Sequence, residues 1–420
     1  MLSHWIIFVL CTVTSGKLIS DHSDLKLILV QMLYRHGDRA PLSLYPKDPN
    51  PESLWPEGLG SLTLLGKRQH YNLGKYFRDF YKDFKTSSPL EVNVTSADDE
   101  RCLKSAEANL ASFYAPRKPW KFDENFDWQP ISIRYLPKNI DKYLQTESDC
   151  PRAAEEELRV ANTPEANEFN AKHQEMYDYL EKYSGKPITG WKPAAFLRDN
   201  IWVEMRYNLT VPTWVEPYWN ELTEVKDLTF FWILNSQLLQ RLRAGPLLQN
   251  MIKTMEDKIE GIIPNLKFQI FSSHDTNLAA LLMSLKLFDL KQPPYCATVF
   301  IELYSGMNDT YFVRLLYLNS TDVEKISQTP HILQLEGCSE FCPLKYFTEY
   351  TKHLIPDDWE KECQLPESNS QKFEKEEIRL GVVFLAIVFI IVTVSFAAAV
   401  SKMYSNNRKK NAFLISIPNS

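Results

Sequence analysis

The feature that most constrains the fold is a run of branched apolar residues, Leu25–Tyr34, that leads directly into a basic heptapeptide. Such a run predicts a strand buried on both faces, as in a sheet that has helices packed on either side. The heptapeptide is Arg35-His36-Gly37-Asp38-Arg39-Ala40-Pro41, in which Gly37 and Pro41 are expected to end the strand. Because ligands of open α/β sheets bind beyond the carboxyl ends of strands, this placement predicts a functional site.

The residue types of the heptapeptide suit phosphate chemistry. Arg35 and Arg39 flank His36, and guanidinium groups are permanently charged, planar donors that match phosphate oxygens. A neutral imidazole can attack phosphorus, and nearby positive charge lowers the pKa of a histidine, which keeps it unprotonated into the acid range. A single histidine on a turn is more often structural, but the complete heptapeptide favours a phosphate site.

Two other short segments follow predicted strands. Asp98–Arg101 is by itself an ordinary acidic helix start, in which carboxylates favour the helix dipole. In the second segment, His274-Asp275, either Asp275 or Thr276 is a plausible cap of the next helix. The functional alternative is a phosphate-binding His274 beside a carboxylic acid that protonates the departing alcohol. Three strand ends with these side chains favour one common site.

The order of predicted elements gives the fold class. Predicted strands are Leu25–Tyr34, Leu90–Thr95 and Leu266–Phe271, followed by Ala297–Tyr304 and Thr310–Leu318, which alternate like an antiparallel pair. Predicted helices are Leu62–Phe84, the segment from Arg101 to Tyr114, Arg152–Val160, Glu165–Tyr183, Asp227–Leu242 and Asn277–Leu287. Residues 119–243 contain no convincing strand. We therefore expect an α/β domain from residues 17–118 and 244–366, with a mainly parallel sheet flanked by helices, and a helical insertion domain at 119–243.

The two ends of the chain predict export and a membrane anchor. Residues 1–16 have the apolar core and small residues of a signal peptide. Residues 380–400 are an uncharged run long enough to span a bilayer, and basic residues after it indicate a cytoplasmic tail, 401–420. A polar stalk, residues 367–379, precedes the span. A cleaved lipid-anchor signal is disfavoured because such signals end in their apolar tail.

Cysteines, sequons and charge agree with an exported enzyme. Outside the signal peptide the cysteines are Cys102, Cys150, Cys296, Cys338, Cys342 and Cys363, without zinc-like spacing, so disulfides are expected. Glycosylation is predicted at Asn208, Asn308 and Asn319, but not at Asn93, which lies in a predicted core strand. The net charge of -6 and the absence of a basic stripe give no support to a nucleic-acid partner.

The chain resembles the histidine acid phosphatases, specifically the animal prostatic and lysosomal type, over nearly all of its exported part. The signature Arg-His-Gly-x-Arg-x-Pro is matched at Arg35–Pro41. Further similar segments are Trp55–Thr63 with Gly66, Gln69, His70, Leu73 and Gly74; the acidic run ending in Arg101 with Leu103, Ser105 and Ala106; His274-Asp275-Thr276; and Gly337–Leu344.

The resemblance implies a phosphoglycerate mutase-like fold, no cofactor or metal, and a role for each site residue. His36 would attack phosphorus, Asp275 would protonate the leaving group, and the phosphate ligands would be Arg35, Arg39, Arg101 and His274. It implies disulfides that join Cys150 to Cys363 and Cys338 to Cys342. A third bridge of the family is absent, because Val203 and Thr298 stand at its positions; Cys102 and Cys296 either pair or stay free. It also favours a homodimer.

Several alternatives stay open. The same histidine chemistry serves a phosphomutase, a phytase or a lysophospholipid phosphatase, and the ectodomain of a catalytically inactive receptor or adhesion protein can have the same fold. A metallophosphatase is disfavoured because the histidines lack ligand spacing. The tail has no tyrosine sorting signal at Tyr404, so the sequence leaves lysosome and cell surface as alternatives.

Overall fold

A computed structural model describes residues 24–320 and 328–365, together with 385, 389, 392–393 and 396–403 near the C-terminus. Contacts divide the chain into two units, Met1–Gln364 and Leu365–Ser420. Within the residues that are described, no helix combines the length and apolar character needed to cross a membrane. The predicted signal peptide, stalk and most of the predicted span and tail lie outside the described residues.

The first unit is organised around a mixed β-sheet. Its strands are β1 Lys26–Arg35, β2 Val92–Ser96, β3 Ile133–Arg134, β4 Phe268–Ser273, β5 Thr298–Ser305, β6 Tyr311–Leu318, β7 His331–Leu333 and β8 Cys342–Pro343. The strand order is β3-β2-β4-β1-β5-β6-β7, and β8 also pairs with β6. The pairs among β1 to β4 are parallel, whereas β5 to β8 join antiparallel.

The α/β class with a central sheet between helices is confirmed, with two corrections. The first correction concerns the prediction of a mainly parallel sheet, which holds only for the half of the sheet that contains β1 to β4. The turn between β5 and β6 is too short for a parallel crossover, and the antiparallel pairing predicted for these two strands is confirmed. The second correction is β3, which lies within residues 119–243; a strand of two residues is too short to produce a periodic signal.

The α-helices of the first unit are α1 Leu64–Phe80, α2 Glu100–Phe113, α3 Pro151–Ala161, α4 Pro164–Lys172, α5 Gln174–Ser184, α6 Trp191–Arg206, α7 Trp219–Leu234, α8 Gln237–Arg243, α9 Gly245–Ile259, α10 Asp275–Ser284, α11 Leu344–Thr351 and α12 Trp359–Glu362. The predicted helix Glu165–Tyr183 is two helices, α4 and α5, which meet at His173. The helices α6, α9, α11 and α12 were not predicted.

Strand β1 is buried on both faces, as its apolar run predicts. Val30 and Met32 lie in an apolar cluster with Phe77 of α1 and Phe113 of α2. On the other face, Leu29 and Leu33 lie in a cluster that includes α9 and α10. The sheet is therefore sandwiched between α1 and α2 on one side and α9 and α10 on the other.

The helical block between β3 and β4 has an apolar cluster of its own. Leu180 of α5, Leu197 of α6 and Leu222 of α7 are fully buried within it. A separate apolar cluster agrees with the predicted helical insertion domain. The boundaries of that domain at residues 119 and 243 stay a prediction.

Both disulfides implied by the resemblance are present, Cys150–Cys363 and Cys338–Cys342. Cys102 and Cys296 are buried, and both are free thiols. Cys150 precedes α3 and Cys363 follows α12. The disulfide between them therefore fastens the helical block to the end of the first unit.

The sequons differ in their surroundings. Asn208, Asn308 and Asn319 are exposed. Asn93 lies in β2, as predicted, where it is half-buried and accepts a hydrogen bond from Arg134 Nη1 over 3.1 Å. Glycan occupancy stays a prediction at all of these positions.

Candidate active site

The carboxyl ends of three neighbouring parallel strands meet at one edge of the sheet. Arg35 ends β1, Arg101 lies in the first turn of the helix that follows β2, and His274 lies between β4 and α10. Because β4 pairs with both β1 and β2, side chains distant in sequence come together here. The structure places all the predicted catalytic and phosphate-binding residues on the wall of one pocket of about 580 Å³: Arg35, His36, Arg39, Arg101, His274 and Asp275.

His36 is oriented by its own loop. Its side chain is buried, and its ring centroid lies 5.5 Å from that of His274. His36 Nδ1 is 2.8 Å from the carbonyl oxygen of Gly37, and because a carbonyl can only accept, Nδ1 carries the proton. The neutral ring therefore has its lone pair on Nε2. Burial, followed by the charges of Arg101 and Arg35, holds the pKa of His36 well below its ordinary value.

Helix α1 holds the heptapeptide loop from behind. A Cβ on Gly66 would lie 2.2 Å from the backbone oxygen of Asp38, so only glycine permits this approach. Asp38 Oδ1 accepts hydrogen bonds from Thr63 Oγ1 at 2.7 Å and from Tyr207 Oη at 2.6 Å. The segment around Thr63 and Gly66, which the family resemblance singled out, thus fixes the loop that presents His36.

Each of the three arginines is paired with a different carboxylate. Arg35 Nη2 lies 3.0 Å from Asp275 Oδ2. Arg39 Nη2 lies 2.7 Å from Asp199 Oδ2. Arg101 Nη1 lies 3.2 Å from Asp99 Oδ1. Buried guanidinium groups need such partners, because an isolated charge would be costly to desolvate.

Asp275 is ionised in this arrangement. Burial raises the pKa of a carboxyl group, but here the charges of Arg35 and Lys226 and a hydrogen bond from Gln292 lower the pKa of Asp275 below its ordinary value. Gln292 Nε2 donates to Asp275 Oδ2 over 2.8 Å. A proton-donor role for Asp275 therefore requires a change in its charged surroundings when substrate binds.

Sequence reasoning missed several residues of this site. Asp199 lies on α6 and Lys226 on α7, both within the helical block, and nothing in their local sequence points to the loop after β1. Tyr295 lies under Arg35, whose Cζ is 4.2 Å from the ring centroid. Asp99 was noted only as part of an acidic helix start.

The pocket wall beyond the predicted phosphate ligands is chemically divided. One group of lining residues is mainly apolar and comes from the loop after β1 and from α6 and α7: Leu42, Ala195, Phe196, Phe230, Ile233 and Leu234. Another group, within residues 138–149, is polar and includes the exposed carboxylates Glu147 and Asp149. Among the residues that the structure describes, no group of three or more histidine, cysteine, aspartate or glutamate side chains is arranged to hold a metal ion.

Comparison with known proteins agrees with this geometry. Residues 26–318 match the model of the histidine phosphatase superfamily (branch 2). The chain is 33% identical to lysosomal acid phosphatase of Rattus norvegicus over 379 residues, 88% of each chain. It is 33% identical to prostatic acid phosphatase of Homo sapiens over 355 residues, which cover 82% of this chain and 89% of that protein.

The solved structures that are similar to the chain include two phytases. The phytase of Citrobacter braakii has a TM-score of 0.60 and 21% identity, and the match covers 81% of this chain and 100% of that chain. The Hafnia alvei phytase has a TM-score of 0.61 and 18% identity, and the match covers 82% of this chain and 99% of that chain. At this identity the likeness concerns the fold.

The surroundings of His36 predict an unusual titration. Since its pKa is lowered, His36 stays neutral as the pH falls through the range where an ordinary histidine becomes charged, near 6.5. Arg101→Ala removes one of the charges responsible and should raise the pKa of His36 by about one pH unit. Heteronuclear NMR of the histidine side chains measures both effects.

The matched control is Arg152→Ala, which removes an exposed arginine from α3, outside the pocket. It should leave the titration of His36 unchanged. A wild-type His36 that becomes protonated near pH 6.5 would contradict the proposed electrostatics of the site.

Proposed function

The chain belongs to the histidine phosphatase superfamily (branch 2), and we propose that it is an acid phosphatase that hydrolyses phosphate monoesters through a phosphohistidine on His36. The observation that carries the proposal is the lone pair on His36 Nε2 in a pocket with three arginines and His274. Such a pocket offers a nucleophile and the positive charge that phosphoryl transfer needs, without a cofactor.

Substrate binding uses the arginines. A phosphate group competes with Asp275 for Arg35 and with Asp199 for Arg39, and it binds Arg101 beside Asp99. One unit charge about 4 Å from another is worth about 4 kcal/mol at an effective dielectric constant of 20. Several such contacts stabilise the charge that spreads over the phosphoryl oxygens in the transition state.

In the first chemical step, His36 Nε2 forms a bond to phosphorus while the bond from phosphorus to the alcohol oxygen breaks. Asp275 donates a proton to that oxygen. The proton can arrive with the substrate, because a phosphate monoester has a second pKa of about 6 and is a monoanion in acid. Phosphate binding also draws Arg35 away from Asp275, which removes the largest influence that lowers the pKa of that carboxyl group. This accounts for activity at acid pH.

In the second step, water attacks phosphorus and the bond to His36 Nε2 breaks. The electron pair returns to Nε2, and the Asp275 carboxylate accepts a proton from the water. Inorganic phosphate then takes that proton from Asp275 and leaves as the monoanion, which restores both residues to their starting state. The same carboxyl group thus acts as acid in one step and as base in the next.

Export and anchoring form part of the proposal. The buried disulfide Cys150–Cys363 suits an oxidising lumenal or extracellular compartment. A signal peptide at residues 1–16, a single span at 380–400 and glycans at Asn208, Asn308 and Asn319 would together describe a type I membrane glycoprotein of the lysosome or cell surface. A homodimer stays part of the proposal on the strength of the family resemblance alone.

The pocket wall favours an apolar leaving group. Phe196 and Ile233 belong to the apolar part of the lining, and burying a side chain-sized apolar group contributes about 1.5–3 kcal/mol. A highly phosphorylated inositol would instead meet a wall of mixed charge, in which Glu147 and Asp149 lie beside Lys138 and Lys192. An aryl or alkyl phosphate is therefore the better substrate class than the inositol phosphates of the alternative phytase hypothesis.

Quenching in alkali after mixing with ³²P-labelled aryl phosphate tests the chemistry. Wild type should yield a labelled phosphohistidine, which is stable in alkali and labile in acid, and His36→Ala should yield none. Asp275→Asn should still form the intermediate from an aryl phosphate, whose leaving group needs little protonation, but should lose at least about 100-fold in turnover of an alkyl phosphate. Purified wild type that releases no phosphate at mildly acidic pH would favour the inactive-ectodomain alternative.

Steady-state kinetics test the leaving-group preference. Phe196→Ala should lower kcat/KM for an aryl phosphate by about tenfold, because it removes apolar contact area, and should leave that for glycerol 2-phosphate unchanged. Leu158→Ala, which changes an exposed residue of α3 outside the pocket, is the matched control. Equal losses on both substrates, or faster hydrolysis of inositol hexakisphosphate than of aryl phosphate, would contradict the preference.

A further inference from the structure

Asp99 occupies the N-cap position of α2 but does not cap the helix. An aspartate at this position ordinarily accepts a hydrogen bond from a backbone N–H of the first turn. Here the side chain of Asp99 makes no such bond. The side chain is buried and forms part of the lining of the active-site pocket instead. The carboxylate is therefore used for something other than the stability of α2.

The Asp99 carboxylate accepts hydrogen bonds from donors on four separate side chains. On Oδ1 the donors are Arg101 Nη1 at 3.2 Å and Lys138 Nζ at 2.7 Å. On Oδ2 they are His274 Nε2 at 3.0 Å and Gln145 Nε2 at 3.1 Å. A carboxylate offers about four lone-pair positions, so this one is saturated. Two of its donors, Arg101 and His274, are phosphate ligands in the proposed function.

The hydrogen bonds also define the protonation of His274. Arg101 Nη2 lies 3.3 Å from His274 Nδ1, and because a guanidinium N–H can only donate, Nδ1 is the acceptor. The proton of the neutral ring is then on Nε2 and is donated to Asp99. In this state His274 has no N–H left for a phosphate oxygen. It can donate to phosphate from Nδ1 only after a second proton has been added, which makes the ring an imidazolium.

We propose that Asp99 is a positioning residue for the phosphate site: it holds Arg101 and His274 together and supplies the counter-charge that allows His274 to bind phosphate as an imidazolium. This inference rests on the proposed phosphatase function and deepens it. Asp99 itself does not touch the substrate in this account; it acts through the two ligands that do. Asp99 keeps the Nε2–H of His274 occupied, so that the Nδ1–H of the imidazolium is directed to the phosphate.

The titratable and charged groups that face His274 come from several elements. They are Asp99 and Arg101 at the start of α2, His36 after β1, Asp275 beside it in α10, and the thiol of Cys102, whose Sγ lies 3.7 Å from Nε2. Burial lowers the pKa of His274, the hydrogen bond to Asp99 raises it, and the charge of Arg101 lowers it again. Loss of the Asp99 charge should therefore lower the pKa of His274 further, and a phosphate dianion should raise it.

The test compares inorganic phosphate as a competitive inhibitor of wild type and of the isosteric variant Asp99→Asn between pH 4.5 and 7.5. Phosphate changes its own charge over this range, but the ratio of the two inhibition constants cancels that effect. We expect Asp99→Asn to weaken phosphate binding about tenfold near pH 6.5, which corresponds to about 1.4 kcal/mol. The ratio should shrink as the pH falls, because acid protonates His274 in both proteins.

The neighbouring aspartate provides a matched control. Asp98→Asn removes the same charge one residue earlier, from a side chain that does not line the pocket, and its ratio to wild type should stay near one at every pH. A merely structural role of Asp99 would change binding by the same factor at every pH, and that result would overturn the proposal. If wild type neither binds phosphate nor hydrolyses phosphate esters, the proposed function fails instead.

A second measurement needs no variant. The ¹⁵N chemical shifts of the two ring nitrogens of His274, recorded on wild type saturated with inorganic phosphate at pH 5.5, report whether each nitrogen carries a proton. The proposal requires both to be protonated. A neutral ring in the phosphate complex, with phosphate bound and the protein active, would refute the imidazolium role and leave the phosphatase function intact.

Discussion

Strand β4 pairs in parallel with β1 on one side and with β2 on the other, so that Ser272 stands level with both Tyr34 and Ser96. Everything in the active site depends on this register. Side chains that follow three strands, from positions as far apart as His36 and His274, reach one pocket because the three carboxyl ends lie side by side. A register shift by one residue in β4 would turn its side chains to the opposite face and move His274 away from His36.

Once gathered, the positive charges need to be stabilised within a largely buried site. The structure meets this need with one carboxylate for each arginine, and the carboxylates come from different places: Asp99 from the start of α2, Asp199 from the helical block and Asp275 from α10. The helical block is therefore part of the catalytic electrostatics as well as of the pocket wall. Phosphate binding can then use guanidinium groups that are already gathered in the pocket, which limits the rearrangement needed on binding.

The parts of this structure that were predictable from sequence are those with a local signal. The run Leu25–Tyr34 predicted β1, and the heptapeptide after it predicted where the candidate site lies. The remaining differences arise from tertiary contacts. The helical periodicity of the sequence continues across His173, but in the structure the helix is interrupted there, between α4 and α5. His173 Nδ1 lies 2.6 Å from Glu221 of α7. Asp199 pairs with Arg39 across 160 residues, and no pattern within α6 reveals that partner. Asp99 looked like an ordinary helix start because sequence alone gives no indication that its side chain turns away from the helix.

The most direct test of the whole account is a crystal structure of the full-length protein with vanadate, a mimic of the phosphoryl group in transfer. The account predicts vanadium within bonding distance of His36 Nε2, with its oxygens bound by Arg35, Arg39, Arg101 and His274 and with Asp275 beside the leaving-group position. Vanadate bound elsewhere, or bound with His36 turned away from the metal, would contradict it.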